Sequence, residues 1–194
     1  MQRIRFGQHH LLYGTAATRD IENQAQAMLP AHTLMERAGL AVAKLALATT
    51  PHASRIWIAC GPGNNGGDGI EAALHLRQWG KQPIVTWLGD PDQAPPDAAA
   101  SFHKAKAAGV SFSPDAPFAP QLCIDALLGI GTQNREPTGE MAYWLGQMKT
   151  SDAPILAVDL PTGLNADTGA VTQLHIHATH TLSLLTLKPG MFTA

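Results

Sequence analysis

The sequence predicts an α/β fold with a mostly parallel central sheet and helices on both faces. Short apolar, strand-like runs stand at 55–59, 83–88, 121–125, 154–158 and 179–185. Helix-like runs at 69–80, 97–108 and 139–149 fall between them. Strands that alternate with helices are joined by crossovers, and crossovers make neighbouring strands parallel. The first strand-like run also feeds a glycine-dense turn, Cys60-Gly61-Pro62-Gly63-Asn64-Asn65-Gly66-Gly67-Asp68-Gly69, that opens a helix.

Taken in order, residues 1–14 read as a flexible leader, in which Gln8-His9-His10 interrupts any signal-like apolar stretch after Arg3 and Arg5. Thr18 is expected to cap a first helix that runs to about Met28 and is ended by Pro30. Thr33-Leu34-Met35-Glu36 reads as the capping box of a second helix. Its apolar positions Leu34, Ala38, Ala41, Val42, Leu45 and Ala48 follow helical spacing and predict one buried stripe. Asp68-Gly69-Ile70-Glu71 places an acid three residues before a Glu, so Asp68 is expected to cap the helix after the glycine turn. Ala94-Pro95-Pro96 and the segment from Pro114 to Pro120 punctuate loops rather than separate domains, and Trp57, Trp79, Trp87 and Trp144 read as packing. Residues 15–194 are expected to form one domain.

Composition narrows the function classes. A net charge of −2 leaves no basic footprint for nucleic acid or an anionic membrane. No apolar run approaches the length of a membrane span. Cys60 and Cys123 sit at apparent strand ends and are expected to be buried and reduced, in a cytoplasmic protein.

In a parallel sheet, ligands sit outside the carboxyl ends of the strands. Three strand ends carry polar groups: the Gly61–Asp68 turn, Cys123-Ile124-Asp125-Ala126 with Gly129-Ile130-Gly131-Thr132, and Ala157-Val158-Asp159-Leu160-Pro161-Thr162-Gly163. Gly61, Gly63 and Gly66 satisfy the dinucleotide fingerprint, yet Asp68 would repel a pyrophosphate beside it. Glycines remove Cβ atoms and let a ligand reach the main chain, and free N–H groups at the helix start favour an anion. Asp125 and Asp159 each close an apolar strand, so each needs donors, a cation or a proton. Asn65, Asp125 and Thr162 suit a hard cation, Asp159 suits proton transfer, and Arg135 could grip a phosphate. His175, His177 and His180 draw attention, but no third ligand is spaced convincingly for a metal.

Five segments together resemble a known family. They are Leu34-Met35-Glu36-Arg37-Ala38-Gly39, the Gly61–Gly69 turn, Ile124-Asp125-Ala126-Leu127-Leu128-Gly129, Val158-Asp159-Leu160-Pro161-Thr162-Gly163-Leu164 and Lys188-Pro189-Gly190. The family is the NAD(P)H-hydrate epimerases, the YjeF N-terminal domain, and the resemblance spans the chain from about Thr15. It implies a Rossmann-like three-layer sandwich and an isomerase of metabolite repair, which interconverts the R and S forms of hydrated NADH or NADPH (NAD(P)HX). A dehydratase, fused or separate, would then restore the cofactor. The resemblance also implies a homodimer.

Carried over by position, Asn64, Asn65, Gly66, Gly67 and Asp68 would contact substrate. Gly129, Ile130, Gly131, Thr132, Gln133, Asn134 and Arg135 would meet its phosphates, and Asp159 its nicotinamide end as the catalytic acid/base. Asn65, Asp125 and Thr162 would hold a potassium ion. Two features depart from the family pattern. The loop after the second strand end reads Gly131-Thr132-Gln133-Asn134-Arg135-Glu136-Pro137, with Met141 where many members have an aromatic residue, and the sequence ends at Phe192-Thr193-Ala194 where members usually add a further strand or more. The latter fits a trimmed fragment or part of a longer bifunctional chain. The competing readings are a non-catalytic scaffold of the same fold and a conventional NAD-dependent dehydrogenase. The intact acids oppose the first, and Asp68 opposes the second. No basic cluster marks a preference between NADHX and NADPHX.

Overall fold

A computed structural model describes residues 2–5, 7–131 and 135–193. Helices α1 (Thr15–Met28) and α2 (Thr33–Thr49) precede β1 (Arg55–Cys60), α3 (Asn64–Gln78), β2 (Gln82–Trp87), α4 (Pro96–Ala107), β3 (Ser111–Phe112) and β4 (Leu122–Ala126). Then come α5 (Gly139–Thr150), β5 (Ile155–Val158), β6 (His180–Leu182) and a 3₁₀ turn at Pro189–Phe192. The six strands form one sheet in the order β3-β2-β1-β4-β5-β6. Every pairing is parallel. The predicted α/β class with helices on both faces is therefore the observed one.

The two faces follow from the period-2 alternation of β1. Ile56, Ile58 and Cys60 point into a core shared with α2, α3 and α4, which includes Val42, Ala46, Ile70, Leu76 and Ala105. Trp57 and Ala59 point the other way, onto Trp144, Leu145 and Met148 of α5. The strand order reverses between β1 and β4, which opens a crevice at their carboxyl ends.

Several boundaries differ from the sequence expectations, each for a physical reason. Helix α3 begins at Asn64, inside the glycine segment, with Gly63 as N-cap, so Asp68 lies in the helix and does not cap it. Glycines are poor helix formers, but here they permit contacts that any side chain would prevent. A Cβ on Gly66 would sit 1.9 Å from the Gly61 carbonyl oxygen, and one on Gly69 would meet Ala126 at 2.6 Å. Packing overrides propensity.

Helix α1 starts at Thr15, with Gly14 as N-cap. Thr18 lies inside the helix, bonding the Tyr13 carbonyl and, at 2.7 Å, Thr186. Helix α2 has His32 at its N-cap and no side-chain cap; Glu36 instead pairs with Lys104 of α4 at 2.9 Å. Its buried stripe is Met35, Gly39, Val42, Ala43 and Ala46. Leu34, Ala38, Ala41 and Leu45 line a cavity, and Ala48 is exposed. Strand β3 was not foreseen, being only two residues long. Strand β6 stops at Leu182 because Asp159 recruits the next segment, as described below.

Candidate functional site

A cavity of about 1330 Å³ lies at the carboxyl ends of the strands, over the β1/β4 crevice. Asn64, Asn65 and Asp68 reach it from α3, Gly129, Ile130 and Gly131 from the segment after β4, and Asp159 from the end of β5. The three strand ends thus serve one site. Asp125 and Thr162 are wholly buried and do not line the cavity. Gly66 and Gly67 are also buried away from its wall, and their missing Cβ atoms serve packing against Gly61 and Met35. Gly63, by contrast, faces open space: a Cβ there would meet nothing within 4 Å. Arg135 is exposed and does not line the cavity, while Thr132, Gln133 and Asn134 lie outside the described residues.

Asp125 organises the floor. Its two carboxylate oxygens accept hydrogen bonds from the Thr162 hydroxyl at 2.7 Å, the Thr162 amide at 2.8 Å and the Leu127 amide at 3.2 Å. Thr162 Oγ1 in turn accepts from the Leu128 amide at 3.1 Å. The β4 and β5 loops are thereby sewn together. Burial drives the Asp125 carboxyl up to about 6, against the opposing pull of its bonds from Thr162 and Leu127.

Asp159 is held differently. Its backbone is left-handed at φ 65°, a conformation that costs a non-glycine residue energy and recurs at functional sites. Lys188, itself wholly buried, donates to Asp159 Oδ1. The same ammonium donates to the Leu184 carbonyl at 2.7 Å and to Ser183 Oγ at 3.0 Å. The Leu184 amide donates to Asp159 Oδ1 at 3.2 Å. The chain after β6 therefore turns, with Leu185 at φ 58°, to wrap Lys188 around one carboxylate oxygen. The other oxygen, Oδ2, faces the cavity beside Gly129. A Cβ at Gly129 would lie 3.2 Å from it and 3.3 Å from Asn65 Oδ1. A side chain there would press on both groups.

Asp68 is half-buried, and its carboxyl is pushed well above the usual range. Burial is the main cause, followed by the charges of Asp159, Glu22, Glu71 and Asp97. Glu22 of α1 lines the same cavity, and its carboxyl is also raised, by burial and then by Asp159. Sequence reasoning passed over Glu22 and gave Lys188 no role. Only a helical projection of α1 would have flagged Glu22. Lys188 sits in a segment whose path depends on tertiary contacts, so no local pattern marks it. Both cysteines are free and buried. His175 and His177 bring their Nε2 atoms to 3.1 Å, while His180 lies apart on the cavity wall.

The potassium ion implied by the family would need oxygen donors. Asn65, Asp125 and Thr162 supply only oxygen, on segments that meet at 125–129. Among the described residues, the buried Asn65 amide nitrogen has no hydrogen-bond partner. The set fits a hard cation, and a cation there would relieve the burial of Asp125.

Known proteins resemble this chain in both sequence and fold. The family model described as YjeF-related protein N-terminus matches residues 31–190. A Levilactobacillus brevis protein named NAD(P)H-hydrate epimerase is 34% identical over 85% of this chain and 77% of its own length. A Vibrio cholerae protein named bifunctional NAD(P)H-hydrate repair enzyme is 42% identical over 82% of this chain. The chain spans only 33% of that relative, and 34% of a similarly named Leishmania major protein. The crystal structure of the yeast protein YNL200c superposes with a TM-score of 0.80 at 25% identity, covering 94% of this chain and 83% of the yeast one.

Proposed function

Because the chain belongs to the YjeF N-terminal family, we propose that it epimerises the hydrated nicotinamide nucleotides NADHX and NADPHX, as an isomerase of cofactor repair. The observation that carries this reading is the Asp159 carboxylate. One of its oxygens is locked by Lys188 and Leu184, and the other is open to a cavity large enough for a dinucleotide.

The substrate bears a hydroxyl at C6 of its reduced ring, on a carbon also bonded to nitrogen. The ring nitrogen pushes electrons toward C6, the C6–O bond breaks, and the hydroxyl leaves as water after accepting one proton. The resulting planar cation accepts water on its other face and releases one proton, so protons balance over the cycle. Asp159 serves this exchange from the open oxygen. Asn64, Asn65 and the start of α3 would orient the nucleotide, with main-chain N–H groups of that helix toward the phosphates. A potassium ion held by Asn65, Asp125 and Thr162 would offset the local negative charge and fix the loops. A dehydratase, on the same chain or another, would consume one epimer.

The test supplies R-configured hydrated NADH with potassium and follows conversion to S by chromatography. Acceleration above spontaneous epimerisation supports the reading. A rate equal to background favours a scaffold of the same fold.

A further inference from the structure

Loss of water from one face of a ring and its return on the other calls for proton transfer on both sides. Asp159, at the end of β5, serves one. We infer that Glu22 of α1, on the wall of the cavity that Asp159 also lines, is the second acid/base of the site. This rests on the epimerase reading and deepens it.

The placement is built into the fold. Helix α1 docks on the segment that carries Lys188: the Tyr13 amide donates to the Leu187 carbonyl at 2.8 Å, and Thr18 meets Thr186 at 2.7 Å. Glu22 is one turn beyond Thr18, half-buried on the cavity wall. Among the described residues, its carboxyl has neither a hydrogen bond nor a salt bridge. A half-buried acid left unpaired beside a paired one is the asymmetry that separates acid from base in two-carboxyl sites.

The charges around it permit cycling. Burial and Asp159 hold its proton on, while Arg19 and Lys188 oppose them. Asp68 is the rival. Everything that shifts it pushes upward, from burial to Asp159, Glu22, Glu71 and Asp97. Asp68 has no cation among these causes, whereas Arg19 and Lys188 act on Glu22, and Glu22 stands on the helix that docks against the Lys188 segment. Arg3, Arg37, Asp97 and His180 also line the cavity.

In one direction Glu22 protonates the departing hydroxyl while Asp159 takes a proton from the entering water. Exchange with solvent water then returns a proton to Glu22 and removes one from Asp159; in the reverse direction the roles exchange. The experiment measures R-to-S turnover across pH for wild type, E22Q, E22D and D68N. E22Q should lower kcat about 100-fold with KM within about threefold, and should abolish the limb that falls as pH rises. E22D should keep that limb and recover part of kcat. E22Q should melt at or above the wild-type temperature, since it removes a half-buried acid. Should it fail to fold, a shifted limb in E22D carries the test. Wild-type kcat in E22Q, or an alkaline limb lost in D68N instead, overturns the assignment. An inactive wild type overturns the epimerase reading beneath it.

Discussion

Replacing Lys188 by Met gives a sharp test of how the site is built. The ammonium is wholly buried and Asp159 is only 7% exposed, so the substitution strands the inner carboxylate oxygen, Oδ1, away from water. Breaking a buried pair by removing one partner costs roughly 3–5 kcal/mol. The Leu184 carbonyl and Ser183 hydroxyl lose their donor as well, while the Leu184 amide still reaches Asp159 at 3.2 Å and limits the loss. We expect a net loss of roughly 4 kcal/mol, which in a domain of this size lowers Tm by about 8–16 °C. Chemical denaturation at pH 7 measures it. The paired change K188M/D159N should recover about half of that loss, because the amide carries no charge to strand. A single variant within about 0.5 kcal/mol of wild type would refute the sealed-pair reasoning.

Further outcomes follow from the same geometry. D159N leaves the Lys188 ammonium to the Leu184 carbonyl and Ser183 alone, so it should fold with reduced stability and lower epimerisation about 100-fold or more; wild-type turnover would remove Asp159 from the chemistry. In ¹⁸O-labelled water, the S product should carry one solvent oxygen per epimerisation, and full retention of the original oxygen would exclude loss and return of water. Asp125 binds its proton more tightly folded than unfolded, up from the usual 3.8 to about 6. It therefore lowers stability as pH rises between those values, by roughly 3 kcal/mol in all, and D125N should flatten that slope in denaturation curves. Gly66→Ala should destabilise strongly, since its Cβ would lie 1.9 Å from the Gly61 oxygen; an unchanged melting temperature would contradict that close packing.

The sheet and its rim were readable because alternation and strand-end polarity are local signals. Asp125, Asp159 and Asn65 were picked from them; Asp159 and Asn65 flank Gly129, while Asp125 is buried off the cavity wall and bonds the Leu127 amide. The helical start at Asn64 was not readable, because five glycines between 61 and 69 signal a turn unless the packing partners of Gly66 and Gly69 are known. The same holds for the stripe on α2. Its apolar spacing was right, but which residues meet the sheet and which line the cavity depends on how the helix is rotated. Lys188 and Glu22 come from segments with ordinary local patterns, and only the docking of α1 on 183–188 brings them to Asp159.

A structure of the chain soaked with a nicotinamide nucleotide and potassium tests the central claim most directly. The ring should lie between Asp159 and Glu22, the phosphates near Gly129–Gly131 and the start of α3, and the cation among Asn65, Asp125 and Thr162. A nucleotide bound elsewhere, or a ring remote from Asp159, would contradict the account.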